Sequence, residues 1–286
     1  MPPQLDIDYY IAKTREHVES FLRTYLRSSP DLKFGMDNKE VLDAAEYTLL
    51  ASGHRWRPIL SLALAQEYGN DHPDLLPLSC AIEFHHTASL IFDDLPCMDN
   101  ATLRRGQQAC HLKYGENVAL LAALYLIAKG DGILSYYHDL CKRASDMKTG
   151  MIFAQHSDLT KKTRSIQDVL QIIDGKSVGP YTFAVHVGVR SADGNLIGGW
   201  NDQDVSELGR NIGRAYQIAD DLADCVSSPE EVGKNVGQDE RKVTSVSLLG
   251  LDKARRKATK YKQEAMRMVG EKGLLPDLLN RIVVIQ

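Results

Sequence analysis

A disulfide or zinc framework is the first thing this sequence lacks. Its five cysteines, Cys80, Cys97, Cys110, Cys141 and Cys225, are odd in number and widely spaced, with no Cys-x-x-Cys pair among them. A reducing, cytoplasm-like compartment fits that usage. Basic excess is missing as well: the formal net charge is -4, and no basic run of the kind a nucleic-acid surface needs is present, so nucleic acid is not an expected partner. The opening MPPQLDIDYY has neither the basic-then-apolar layout of a signal peptide nor the acid-poor, Arg- and Ser-rich character of a transit peptide. A cytoplasmic protein is expected, or a plastid or other organellar one if a transit peptide has been removed. No apolar run reaches the roughly 20 residues that span a bilayer. The longest, Val118 to Ala128, is closed by Lys129 and reads as a buried helix.

Strand signals are scarce too. Apolar residues recur at three- and four-residue intervals through most of the chain, which predicts an all-α fold with helices near 6–28, 38–50, 56–68, 74–94, 107–113, 116–139, 145–161, 165–188, 202–225, 244–250, 252–269 and 274–285. The breaker-rich turns, such as Ser28-Ser29-Pro30 and Gly69-Asn70-Asp71-His72-Pro73, are short enough to join neighbouring helices rather than domains. No repeat at solenoid spacing is found. One helical domain over residues 1–286 is expected.

Against that background stand two acidic clusters, Asp93-Asp94-Leu95-Pro96-Cys97-Met98-Asp99 and Asp220-Asp221-Leu222-Ala223-Asp224, each inside an apolar helical stretch. Carboxylates in apolar surroundings are costly to keep ionised without counter-charge, so a cation is expected between them. Residues four apart share a helix face, which lets Asp220 and Asp224 reach one metal pair while Asp221 points sideways. Asp93 and Asp99 are six apart, and Pro96 must end or kink the helix for Asp99 to fold back. Magnesium, which takes one or two carboxylates together with phosphate oxygens and water, suits two such clusters bridged by a diphosphate.

These residues resemble the trans-isoprenyl diphosphate synthases, and most closely the geranylgeranyl diphosphate synthase type. The resemblance is carried by HTASLIFDDLPCMDNATLRRG (86–106), AYQIADDLAD (215–224), GHRWRP (53–58), AQHSDL (154–159), GKS (175–177) and the GK and RKVTSVSLLG segments after the second cluster, in the family's order. It implies a bundle of mainly antiparallel helices around a central cavity, a homodimer, and sequential chemistry. An allylic diphosphate (dimethylallyl, geranyl or farnesyl) ionises, the double bond of isopentenyl diphosphate attacks the cation, and a proton is lost. By resemblance, Asp93, Asp94, Asp99, Asp220, Asp221 and Asp224 hold magnesium, three ions with the diphosphate bound. Arg104 grips that diphosphate, while Lys176, Ser177, Lys234, Lys242 and Gln217 surround the leaving group. Isopentenyl diphosphate falls to Arg55 or Arg57, His86 and Arg105, together with His54.

The sequence departs from the family pattern at His54, where lysine is common. A neutral imidazole donates one hydrogen bond but carries no fixed charge, so weaker isopentenyl diphosphate binding is expected at high pH than at mildly acidic pH. Gly179-Pro180 interrupts an apolar helix, and Pro180 cannot donate to the Lys176 carbonyl; a carbonyl aimed at the cation and a plain packing kink are both open. Product length in this family follows the depth of an apolar pocket below the first cluster. Ala88 and Ser89 are small and predict elongation to the twenty-carbon geranylgeranyl product, with Phe84, His85, Leu121 and Tyr125 as candidate floors, although His85 reads better as a core histidine. The alternatives are a farnesyl diphosphate synthase, a noncatalytic regulatory subunit of a heteromeric synthase, and a class I terpene cyclase. The intact second cluster disfavours the cyclase, and the two intact clusters together disfavour the regulatory subunit.

Overall fold

The structure is a computed structural model that describes residues 6–28, 39–160, 165–226, 243–270 and 272–285. The first four helices are α1 (Ile7–Arg27), α2 (Lys39–Leu49), α3 (Trp56–Tyr68) and α4 (Leu75–Asp94). A two-stranded hairpin follows, β1 (Leu103–Arg104) and β2 (Gln107–Gln108), and then α5 (Cys110–Tyr114), α6 (Glu116–Leu134) and α7 (His138–Thr160). The next stretch joins α8 (Ile166–Ile173), a π turn (Asp174–Val178) and α9 (Gly179–Val189), before the long α10 (Asp202–Val226). The described chain closes with α11 (Ser245–Leu249), α12 (Leu251–Val269) and α13 (Leu274–Ile282).

Apolar residues nearly all round α4 make it a central helix, because an element without a polar face has nowhere to stand but inside. It packs on α6, while α9 lies between α3 and α10. Close approach is written into small residues: a Cβ on Gly130 of α6 would lie 2.6 Å from His85 Nε2 of α4. One core cluster joins α1, α2, α4 and α6, and a second joins α3, α9, α10 and α13.

Three expectations are corrected. The helix expected over 107–113 begins only at Cys110, because Arg105 and Gly106 both take the left-handed conformation (φ 54 and 78°) and turn the chain into a hairpin. Helices expected over 116–139 and 145–161 instead break at residues 135–137, where neither glycine nor proline signals the turn. Finally, α6 is not a buried helix throughout: Leu120, Leu121 and Leu124 lie exposed on its outer side. Leu121, 51% exposed, therefore cannot floor an internal pocket. Both α4 and α6 are long and apolar enough to cross a bilayer by composition, yet both have faces built into the helical core.

Candidate active site

The first acidic cluster is shaped by Pro96 as the sequence predicts. Helix α4 stops at Asp94, Leu95 swings to an extended conformation (ψ 151°), and the Asp99 N–H donates to the Asp93 carbonyl at 2.9 Å. Asp99 is thereby folded back over Asp93. Asp94 is buried and accepts from Arg104 Nε at 3.1 and 3.2 Å on its two oxygens. Burial pushes the Asp94 carboxyl above its usual range, and Arg104 opposes that rise. Arg104, expected on the diphosphate, thus clamps an aspartate and stands in the fields of Asp93 and Asp99 as well.

The second cluster is organised from α10. Asp221 turns sideways into the protein, where Gln217 Nε2 donates to it at 3.1 Å and the Ser245 hydroxyl at 2.8 Å. Burial is the main reason its carboxyl is pushed up to about 6. Gln217 in turn accepts from the Ser177 hydroxyl at 2.8 Å. Ser177 of the π turn thus joins the network of the second cluster, while its neighbour Lys176 pairs with Asp158 of α7. The π turn has a local cause. Pro180 has no N–H to give, and the Gly179 N–H reaches five residues back to the Asp174 carbonyl. Lys234 and Lys242 lie outside the described residues.

A set of arginines, Arg55, Arg57, Arg104 and Arg105, bears on His86. Arg55 and Arg105 both hold a left-handed backbone (φ 55 and 54°), uncommon for residues with a side chain and characteristic of functional sites. Gly53 permits their approach, since a Cβ there would lie 3.2 Å from the Arg105 guanidinium carbon and 3.3 Å from Arg55 Nη1. Arg55 is consumed by the fold: its side chain is fully buried and donates to Glu19 (3.3 Å), Glu83 (3.4 Å) and the carbonyls of Leu49 and Ala51 (2.8 and 2.9 Å). That removes it from the pair of alternatives for isopentenyl diphosphate. Arg57 remains. It is buried, lies 5.0 Å over the Tyr181 ring, and its Nε donates to nothing. Arg105 Nη1 is likewise buried without a partner.

The histidines of the set are neutral at pH 7. His86 is driven far below its usual value by burial and by Arg57, Arg105, Arg104 and Arg55 around it. His54, stacked on Trp56 at 5.1 Å, is lowered by partial burial and by Arg15 and Arg105, with Asp220 opposing. The expected gain in charge at mildly acidic pH is therefore suppressed, first by burial and then by the neighbouring guanidinium groups. Arg104 stands in the fields of Asp93, Asp94 and Asp99 of the first cluster, and Asp220 of the second bears on His54 and Tyr181.

Below the first cluster, Ala88 and Phe84 are fully buried, and Phe84 meets the Tyr25 ring edge-on at 5.8 Å. The Ser89 hydroxyl donates to the His86 carbonyl at 2.8 Å. His85 is a core histidine, bonded through Nε2 to Asp131 at 2.9 Å. A cavity of about 250 Å³ opens elsewhere, between α7 and the α8–π segment. Its lining, which includes Asp168 and Ser157 but no cation, is unlike the arginine set.

Sequence reasoning missed two residues. Arg15 of α1, a helix that carries no motif, bears electrostatically on His54 and has a buried Nε without a partner. Gln155 of α7 has both amide atoms buried without a partner; it lies in the AQHSDL segment, which was the available signal.

A family model described as polyprenyl synthetase matches residues 38–280 of the chain. Geranylgeranyl pyrophosphate synthase 12, chloroplastic, of Arabidopsis thaliana is 34% identical over 247 residues, covering 80% of this chain and 68% of that protein. Farnesyl diphosphate synthase of Bacillus subtilis is 34% identical over 252 residues, covering 82% and 83%. Among solved structures, the geranyltransferase of Helicobacter pylori complexed with magnesium and isoprenyl diphosphate matches at 27% identity with a TM-score of 0.79, covering 99% of this chain and 97% of that one. An all-helical fold carrying paired acidic clusters defines the class, and the chain belongs to the polyprenyl synthetase family.

Proposed function

We propose that the chain is a chain-elongating prenyltransferase that joins isopentenyl diphosphate to an allylic diphosphate and releases geranylgeranyl diphosphate. The observation that carries this reading is the buried, unpartnered guanidinium N–H of Arg57 and of Arg105, two residues that both bear on His86, in a chain with two acidic clusters. Buried donors are normally satisfied, and one diphosphate would satisfy both. The relatives named as geranylgeranyl and farnesyl synthases support the same reaction class.

Among the described residues no group of three or more His, Cys, Asp or Glu forms a ready-made cage for a metal. That fits magnesium rather than excluding it, because magnesium is usually held by one or two carboxylates plus substrate phosphates and water. Asp93 and Asp99 on one side, with Asp220 and Asp224 on the other, would hold it; three ions are the number proposed. Asp94 and Asp221 have their own donors, Arg104 and the Gln217–Ser245 pair, and act as anchors for the two walls. Bound magnesium supplies positive charge to the departing diphosphate.

The chain's own residues do the rest. Breaking the allylic C–O bond leaves a carbocation, so the site must offer it apolar or electron-rich surroundings and keep water out. Lys176, with Ser177 and Gln217, which are bonded to each other, is proposed to receive the diphosphate. Lys234 and Lys242 are proposed for the same leaving group on the sequence alone. Arg57 and Arg105, with neutral His54 and His86, hold isopentenyl diphosphate so that its double bond meets the cation. Loss of a proton from the adjacent carbon then restores an allylic product. The exposed leucines of α6 form an apolar strip suited to a second copy of the chain; sedimentation as a monomer at micromolar concentration would refute that part.

The test is purified protein with magnesium, farnesyl diphosphate and labelled isopentenyl diphosphate, with products sized by chain length. A twenty-carbon diphosphate is expected. Hydrocarbon released from the allylic substrate alone, or no condensation, would overturn the reading. Ala88→Tyr places a ring where a fully buried methyl stands and is expected to shorten the product; unchanged length would remove Ala88 from the pocket wall.

A further inference from the structure

His54, neutral where the resembling family commonly has lysine, leaves the proposed isopentenyl diphosphate site one cation short. The buried stripe of α1 runs through Ile11, Thr14, Val18 and Leu22. Arg15 falls four residues after Ile11, next to that stripe, and its Nε is buried without a hydrogen-bond partner. The acid that would ordinarily neutralise it, Glu19 one helical turn on, is taken by Arg55 at 3.3 Å. Helix α1 packs against α3 and α4, the helices that carry Arg57 and His86. Arg15 and Arg105 are the two cations that act on His54.

A guanidinium placed inward without a carboxylate costs stability unless an anion arrives. Three such groups, Arg15, Arg57 and Arg105, each present a buried N–H with no acceptor. Arg15 and Arg105 bear on His54, and Arg57 and Arg105 on His86; Glu83, whose charge bears on Arg105, is bonded to Arg55 at 3.4 Å. We propose that Arg15 is a third guanidinium of the isopentenyl diphosphate site and provides the charge that His54 does not. This rests on the function proposed above. It adds to it a substrate-binding residue outside the acidic and GHRWRP motifs.

Two variants test it separately. Arg15→Gln is expected to raise KM for isopentenyl diphosphate roughly tenfold or more, the scale of one charged hydrogen bond, with KM for farnesyl diphosphate changed by less than about twofold. Adding His54→Lys to Arg15→Gln is expected to recover most of that loss. Should Arg15→Gln fail to fold, Arg15→Lys replaces it: the ammonium keeps the charge but not the guanidinium fork, and KM for isopentenyl diphosphate is expected to rise about two- to fivefold. Unchanged KM for isopentenyl diphosphate in the folded variant overturns the assignment of Arg15. The functional reading survives that result as long as Arg57→Gln and Arg105→Gln still weaken isopentenyl diphosphate. Absence of isopentenyl diphosphate-dependent condensation in the parent protein would instead remove the reading itself, and Arg15's role with it.

Discussion

Arg55 and Arg57 stand two residues apart and are nearly indistinguishable in sequence, yet the fold uses them in opposite ways. Arg55 is enclosed by two carboxylates and two carbonyls. Arg57 keeps a buried donor unsatisfied over an aromatic face. Removing one partner of a buried ion pair leaves the other charge stranded, so Arg55→Ala is expected to cost about 3–5 kcal/mol in a urea unfolding experiment. Arg57→Gln is expected to leave stability unchanged or raised, while KM for isopentenyl diphosphate rises roughly tenfold. The reverse pattern would interchange their roles. At this scale the acidic residues were legible because their type and spacing alone set which face they occupy, as Asp221 turning away from Asp220 and Asp224 illustrates. The choice between Arg55 and Arg57 was not, since it depends on Glu83, a residue of another helix, and on a left-handed turn at position 55.

Among the elements, the π turn has the most consequence, because Lys176 and Ser177 owe their placement to it. Gly175 within it admits α7: a Cβ there would fall 2.4 Å from the Ala154 Cβ and 2.6 Å from the Gly150 carbonyl oxygen. Gly175→Ala is therefore expected to destabilise the protein by about 1–3 kcal/mol through overpacking, and to lower kcat by displacing Lys176 from Asp158. Equal stability and activity in that variant would show that the turn yields without consequence. The sequence announced a disturbance here through Gly179-Pro180, but the period of apolar residues cannot tell a kink from a π turn. Most helices were legible because burial on one face imposes their period. The hairpin was missed for a definite reason: Arg105 takes a conformation usually left to glycine, so only Gly106 signalled the turn. The break at residues 135–137 is likewise set by packing, with the Tyr137 side chain anchored on Asp74.

For the whole molecule, burial of imidazoles governs the response to acid. His72, His85 and His186 are all buried and all shifted below the ordinary histidine value, His186 to about 4. Burial is the main cause in each case. Between that value and about 6.5 the unfolded chain binds more protons than the folded one, so stability rises with pH. The stabilisation is complete above about pH 6.5 and is lost as pH falls towards 4, with His186 contributing on the order of 3 kcal/mol. Asp139, held below the usual carboxylate range chiefly by Arg190 against the opposing effect of burial, loses its contribution only at lower pH. His186→Phe removes no hydrogen bond, since neither ring nitrogen makes one, Asp139 and Asp202 standing 3.8 and 4.0 Å away. It is expected to flatten the fall in Tm between pH 6.5 and 4 while leaving Tm near pH 7 little changed; an acid limb as steep as the parent's would contradict this.

The central claim is that the protein holds two diphosphates by different means, one between acidic walls through magnesium and one on guanidinium groups directly. Calorimetric titration with an unreactive allylic thiodiphosphate and, separately, with isopentenyl diphosphate, each with and without magnesium, addresses it. The account predicts that the allylic analogue binds only with magnesium and loses binding in Asp93→Asn and Asp220→Asn, whereas isopentenyl diphosphate binds without the metal and loses affinity in Arg57→Gln. Equal metal dependence for the two ligands, or allylic binding that survives both aspartate replacements, would contradict it.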